Sequence, residues 1–229
     1  MDPEGRIVVV TGASGGIGGA LVRALVERGA RNVVAVDLDT AGAEALRDEL
    51  GSASVLARAL DVTDEAATRA CVAEIEASIG PIDVFFANAG VSTGGGPDAA
   101  SMAGLLSALG DAAYSATKHA AVGFAEWLAF TYGAQGVRVS CICPGAVDTA
   151  MLRAGAGGDA QKASTAIGGG DVLAPEQAAE RILDALADDR FLILTHPEMR
   201  EFMVVKAQDP ERWIGGMSKL WARAQALLR

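Results

Sequence analysis

Positive charge, cysteine and histidine are all scarce in this 229-residue chain. Lysine and arginine number 19 against 29 aspartates and glutamates, a formal net charge of −10, which leaves no general attraction for nucleic acid or an anionic membrane surface. Three cysteines, Cys71, Cys141 and Cys143, are too few and too oddly placed for a disulfide framework, and two isolated histidines form no metal-ligand cluster. No apolar run approaches the ~20 residues needed to span a bilayer. Met1-Asp2-Pro3-Glu4 lacks the basic and apolar regions of a secretory leader. These absences favour the cytoplasm. What is abundant is apolar side chain: 51% of the chain is hydrophobic, ample at this length for a single domain over residues 1–229.

Apolar, β-branched runs recur at Ile7 to Val10, Asn32 to Val36, Ser54 to Leu60, Val84 to Phe86, Val137 to Ile142 and Phe191 to Leu194, and these are expected to be strands. Between most of them lie stretches with helical spacing, such as Ile17 to Arg28, Ala41 to Leu50 and Asp64 to Ile79, the last closed by Gly80-Pro81. Alternating strand and helix predicts an α/β fold with a parallel sheet. Such a sheet is buried on both faces, which accounts for strands that are nearly all apolar rather than alternating. Right-handed crossovers then place helices on both sides. Met151 to Gly170, rich in glycine and alanine, is either an ordinary surface loop or a lid beside a ligand.

Thr11-Gly12-Ala13-Ser14-Gly15-Gly16-Ile17-Gly18 follows the first strand and opens the first helix. A diphosphate needs unobstructed backbone N–H groups and the positive end of a helix dipole, and Gly12, Gly16 and Gly18 remove the Cβ atoms that would block close approach. A tight turn without a ligand is the plainer alternative. Asp37 closes the second strand near the ~20-residue offset at which a carboxylate meets adenosine ribose hydroxyls. A carboxylate there repels a 2′-phosphate, and Gly15 and Leu38 supply no cation to neutralise one. NAD is thus favoured over NADP, the plainer alternative being that Asp37 merely ends a strand or caps the next helix.

Tyr114 and Lys118 stand four apart on an expected helix and share one of its faces. A free phenol, with a pKa near ~10, is a poor proton-transfer group at neutral pH, and a nearby ammonium lowers that value by stabilising the phenolate. Taken alone, such a pair is more often an exposed lysine beside a half-buried tyrosine.

The ordered set Thr11-Gly12-x-x-x-Gly16-x-Gly18, Asp61-Val62, Asn88-Ala89-Gly90, Ser101, Tyr114-x-x-x-Lys118 and Pro144-Gly145 resembles the short-chain dehydrogenase/reductase family over nearly the whole chain. The resemblance implies a Rossmann-type doubly wound parallel sheet with helices on both faces. It implies that Tyr114 exchanges a proton with the oxygen of a small alcohol or carbonyl substrate while hydride passes between nicotinamide and carbon. Lys118 would hold the nicotinamide ribose and tune Tyr114, and Ser101 would hydrogen-bond the substrate oxygen. Ser14, Ile17 and Leu38 would join the glycines and Asp37 around the cofactor. Asp61 and Val62 would bracket the adenine, Asn88, Ala89 and Gly90 would pack along the cofactor, and Pro144, Gly145, Val147 and Thr149 would meet the carboxamide. Subunit pairing is a further expectation, since the family pairs through the helix after Ser101 together with a long helix that precedes it. Cys141 and Cys143 are expected to be sheet packing.

The match breaks between Gly90 and Ser101. Only ten residues lie there, Val91 to Ala100, where the family places a long helix, a central strand and the asparagine of its proton relay. A crossover with its helix needs at least ~10 to 12 residues, and the strand adds about 5. Either a segment is omitted from the sequence at the 100/101 junction or the deletion is real; omission is favoured, because a missing central strand leaves backbone groups unpaired. A catalytically silent NAD(H)-binding sensor or scaffold is therefore the alternative to an enzyme.

Overall fold

Four hydrophobic residues in a row and a closing threonine leave β1 (Ile7–Thr11) no polar face, and it is buried throughout. The computed structural model describes residues 1–90, 101–154 and 171–227. They fall into two units, the first of residues 1–90 and 175–180, the second within 91–174 and 181–229.

In the first unit β1 is followed by α1 (Gly16–Glu27), β2 (Asn32–Asp37), α2 (Thr40–Leu50), β3 (Val55–Ala59), α3 (Glu65–Ser78) and β4 (Val84–Phe86). The strands form a parallel sheet in the order β3-β2-β1-β4, with Ile7 opposite Asn32, Val33 opposite Val55 and Val8 opposite Val84. Successive residues of a strand point to opposite faces. On one face Ile7, Val9, Val34 and Val36 form a core with Leu60 and Ile75, against which Ala67 and Cys71 of α3 pack. Val8, Val10, Val33 and Ala35 point the other way and are equally buried. There α1 lies against β1 and β2, with Leu21 and Leu25 buried. Asp39 and Asp64 cap α2 and α3, accepting from the backbone N–H groups of Ala41 and Ala67 at 3.0 and 2.9 Å. The expected stop at Gly80-Pro81 is also present: α3 ends at Ser78, and Gly80 takes a φ of +134°.

The second unit contains α4 (Ala103–Leu106), α5 (Ala112–Tyr132), β5 (Cys141–Cys143), α6 (Ala150–Ala154), β6 (Leu192–Leu194), α8 (Met199–Gln208) and α9 (Pro210–Leu227); α7 (Pro175–Ala187) contributes its residues from Arg181 onward. Strands β5 and β6 pair in parallel, Cys141 opposite Leu192 and Cys143 opposite Leu194. Cys141 and Cys143 are buried with Val122 of α5 among Leu105, Leu192 and Leu194. Their sulfurs lie 3.9 Å apart, and the contact with Cys141, together with burial, pushes the Cys143 thiol above its ordinary range.

Two sequence expectations change. The strand expected from Val137 begins only at Cys141, because its partner β6 starts at Leu192 and is preceded by a turn at Asp188 to Arg190, with Asp189 at a φ of +54°. Without ladder partners, Arg138 instead pairs with Asp189 at 2.6 Å, and the Ser140 hydroxyl donates to the Arg190 carbonyl at 2.8 Å. Residues 151–154 of the expected loop are helical, in α6. The rest of that loop, and the 100/101 junction, lie outside the described residues. Among the described residues no helix is long and apolar enough to cross a membrane.

Candidate active site

The glycine turn is fastened to the end of β4 by one buried hydroxyl. Thr11 Oγ1 accepts from the N–H groups of Asn88 (3.0 Å) and Ala89 (2.9 Å) and donates to the Phe86 carbonyl at 3.2 Å. The Asn88 side-chain amide donates to the Thr11 carbonyl at 3.0 Å. This brings Asn88, Ala89 and Gly90 to the turn, so close that a Cβ on Gly12 would lie 2.9 Å from the Ala89 Cα. Gly12 also has a φ of +65°, a left-handed conformation that glycine adopts without strain. Helix α1 then opens at Gly16, followed by Ile17 and Gly18, and Gly15 stands at its cap position with no side chain bonded there. The first N–H groups of α1 thus meet no capping side chain, and the helix dipole adds partial positive charge.

Asp37 ends β2 as expected. One of its oxygens, Oδ2, accepts both the Ser14 N–H, at 2.9 Å, and the Ser14 hydroxyl. Leu38 beside it is exposed. Asp61, past the end of β3, accepts from the Thr63 hydroxyl (2.7 Å) and N–H (2.9 Å), which hold its carboxyl below the usual range; Val62 is exposed. An open helix start, a glycine in the left-handed region and a carboxylate at the end of the second strand are a donor and acceptor set that fits a diphosphate joined to a ribose diol.

The second unit holds the remaining candidates. Tyr114 and Lys118 lie one turn apart on α5, with the Lys118 ammonium 5.1 Å from the centre of the Tyr114 ring and the Tyr114 hydroxyl oxygen buried. Helix α4 approaches α5 closely because Gly104 has no side chain: a Cβ there would be 2.5 Å from the Lys118 carbonyl oxygen. Ser101 precedes α4, and its hydroxyl accepts from the Ala103 N–H at 3.2 Å, while Met102 N–H donates to the Pro144 carbonyl at 3.1 Å. Ser101 and Pro144 are therefore neighbours. Gly145 donates to Thr195 Oγ1 at 3.1 Å, Val147 bridges to Leu173, and Thr149 Oγ1 accepts from the Leu152 N–H at 3.3 Å at the start of α6.

Sequence reasoning missed three residues that hold these candidates in place: Asp111, Thr195 and His196. Asp111 caps α5, its carboxylate accepting the N–H of Tyr114 itself at 2.9 Å, while its carbonyl accepts the Ser115 hydroxyl at 2.8 Å. An aspartate three residues before a helical Tyr is a readable cap signal. Asp111→Ala should cost about 1 kcal/mol, lowering the thermal midpoint by about 2–4 °C, and Asp111→Ser should restore most of it. An unchanged midpoint in the alanine variant would show that the cap contributes nothing.

A family model described as short chain dehydrogenase matches residues 6–100 and 98–157. The chain belongs to the short-chain dehydrogenase/reductase family. The two matched stretches meet at residues 98–100. The 1-deoxy-11-beta-hydroxypentalenate dehydrogenase of Streptomyces avermitilis is 30% identical over 270 aligned positions, spanning 99% of this chain and 97% of the relative. The alignment is longer than the chain, so the relative carries residues with no counterpart here. Among solved structures, a short-chain dehydrogenase/reductase from Burkholderia phymatum in complex with NAD superposes with a TM-score of 0.77 at 24% identity, covering 92% of this chain and 96% of that one. A short-chain dehydrogenase from Burkholderia cenocepacia in complex with NADP gives 0.77 at 21% identity, over 95% and 99%. At these identities the structures establish the Rossmann-type fold, a parallel sheet flanked by helices.

Proposed function

We propose that this protein is an NAD(H)-dependent oxidoreductase that interconverts a secondary alcohol and a ketone. The observation that carries the reading is the Tyr114–Lys118 couple, a half-buried phenol whose hydroxyl oxygen is buried, with an ammonium beside its ring. In the oxidative direction Tyr114, as phenolate, takes the proton from the substrate hydroxyl; in reduction it returns that proton to the carbonyl oxygen. Lys118 stabilises the phenolate by its charge. Ser101 orients the substrate oxygen by a hydrogen bond and does not attack it. The nicotinamide, when bound, supplies or accepts the hydride. Gly12, Ser14, Gly16, Ile17 and Gly18 hold the diphosphate; Asp37 and Leu38 meet the adenosine ribose, and Asp61 and Val62 the adenine. Asn88 to Gly90 line the cofactor, and Pro144, Gly145, Val147 and Thr149 face the carboxamide.

NAD is chosen over NADP because Asp37 places a carboxylate, bonded to Ser14, where a 2′-phosphate would be repelled. Family members superposing on this chain have been crystallised with either cofactor, so the choice rests on Asp37. The substrate is a small alcohol or carbonyl compound, and a net charge of −10 suits no nucleic-acid partner. Pairing of subunits through α5 belongs to the same reading, supported by the exposed rings of Phe124, Trp127 and Phe130. So does a cytoplasmic location, which suits three free cysteines.

One observation favours a second reading. The ten residues from Val91 to Ala100 offer no counterpart for the family's relay asparagine, which would suit a silent NAD(H) sensor or scaffold. Purified protein mixed with NAD and a broad panel of secondary alcohols, or NADH and the matching ketones, should interconvert reduced and oxidised nicotinamide. Binding of NADH without turnover on any member of the panel would leave the sensor reading standing and remove the enzyme.

A further inference from the structure

We propose that His196 is a positioning residue for the nicotinamide end of the cofactor site, bracing the Pro144–Thr149 segment; the inference rests on the NAD(H) reading above. Thr195 and His196 follow β6 and are 0% and 2% exposed. A buried imidazole needs a partner for each ring nitrogen. His196 Nε2 lies 2.9 Å from the Asp171 carbonyl oxygen, which can only accept, so Nε2 carries the proton. The other nitrogen, Nδ1, then accepts a hydrogen bond from the Thr195 hydroxyl at 2.9 Å. Thr195 Oγ1 in turn accepts the Gly145 N–H at 3.1 Å. Three hydrogen bonds thus run through two buried side chains from Gly145 to Asp171.

The same two ends are joined a second way. Leu173 N–H donates to the Ala146 carbonyl at 3.0 Å, and Asp148 N–H to the Leu173 carbonyl at 2.8 Å. Residues 145–148 therefore rest on the strip 171–173, and His196 ties that strip back to Gly145. The seat is closed to larger residues: a Cβ on Gly145 would lie 2.8 Å from His196 Cγ and Cε1. Arg181 fixes the turn from α7, its guanidinium donating to the Thr195 carbonyl at 2.6 Å. With both ring nitrogens engaged inside the protein, neither is turned to a substrate, and the work of His196 is to hold Gly145 and its neighbours in register.

The test compares binding of NADH with binding of ADP-ribose, which carries all of the cofactor except the nicotinamide. Wild-type protein is measured first; if it binds neither, the NAD(H) reading itself fails and this inference with it. Thr195→Val keeps the shape of the side chain and removes the hydroxyl link, whereas Thr195→Ser keeps the hydroxyl. The valine variant should bind NADH about tenfold more weakly, because it removes the hydroxyl that makes both the Gly145 and the His196 hydrogen bonds, with ADP-ribose affinity within about twofold of wild type. His196→Phe should behave likewise, and Thr195→Ser should match wild type for both ligands. Should His196→Phe not fold, the Thr195 pair decides. Wild-type NADH affinity in folded Thr195→Val, parallel loss of NADH and ADP-ribose, or a serine variant as weak as the valine one would each overturn the assignment.

Discussion

Tyr114→Phe should abolish measurable alcohol oxidation and ketone reduction while leaving NADH binding within about twofold of wild type. The substitution removes one oxygen and keeps the ring against which the Lys118 ammonium is set, 5.1 Å from its centre. What is lost is the only group proposed to move a proton to and from the substrate oxygen. Positioned general acid–base catalysis contributes about 10²- to 10⁴-fold, and a drop of that size in kcat with little change in cofactor affinity is expected. The helix should survive, because the Asp111 cap acts on the Tyr114 backbone N–H and not on the phenol. Steady-state rates and NADH titrations on the same preparation make the measurement. A variant turning over at wild-type speed would remove Tyr114 from the chemistry, and with it the observation on which the enzymatic reading stands.

Much of the first unit was legible in the sequence because its strands are buried on both faces. Val8 and Val9 both meet the core although they point in opposite directions, so a run of apolar residues marks the strand without any need to see the period. Asp37 was likewise readable from its distance to the turn. The second unit was harder. Val137 to Ser140 have strand composition, yet pairing is decided by a partner that begins only at Leu192. Gly104 gives no local sign that it permits the approach to Lys118. Thr195 and His196 look like an ordinary turn before Pro197, and their value comes from Gly145 and Asp171, fifty and twenty-five positions away in the chain. Sequence periodicity carries no information about contacts of that range. The shortfall between Gly90 and Ser101 was visible because a helix and a strand have minimum lengths. The two stretches of the family match meet at 98–100, within the same interval.

Asp37→Ala should reverse the preference between the two nicotinamide cofactors. In the wild-type protein the Ser14 N–H and hydroxyl both bind Oδ2, which fixes the carboxylate; in the proposed complex its other oxygen receives the ribose hydroxyls. A carboxylate about 5 Å from a phosphate charge repels it by about 3 kcal/mol per unit charge at an effective dielectric constant near 20, less once solvent and salt screen the pair. Removing the carboxylate relieves that repulsion for NADPH. It also deprives NADH of hydrogen bonds to a charged acceptor, worth about 1.5–3 kcal/mol. The two effects act in opposite directions on the two ligands and so add in their ratio, which should swing by on the order of 10²- to 10³-fold toward NADPH. Ser14 strengthens the swing, since its hydroxyl and N–H, no longer engaged by Asp37, become donors to a phosphate at the mouth of the turn. Parallel titrations of the variant with NADH and NADPH at low and high salt read the effect, and the NADPH gain should shrink as salt rises because it is Coulombic. A ratio that stays within about threefold of wild type would mean that the Asp37 carboxylate does not face the 2′ position, and the proposed preference for NAD would lose its support.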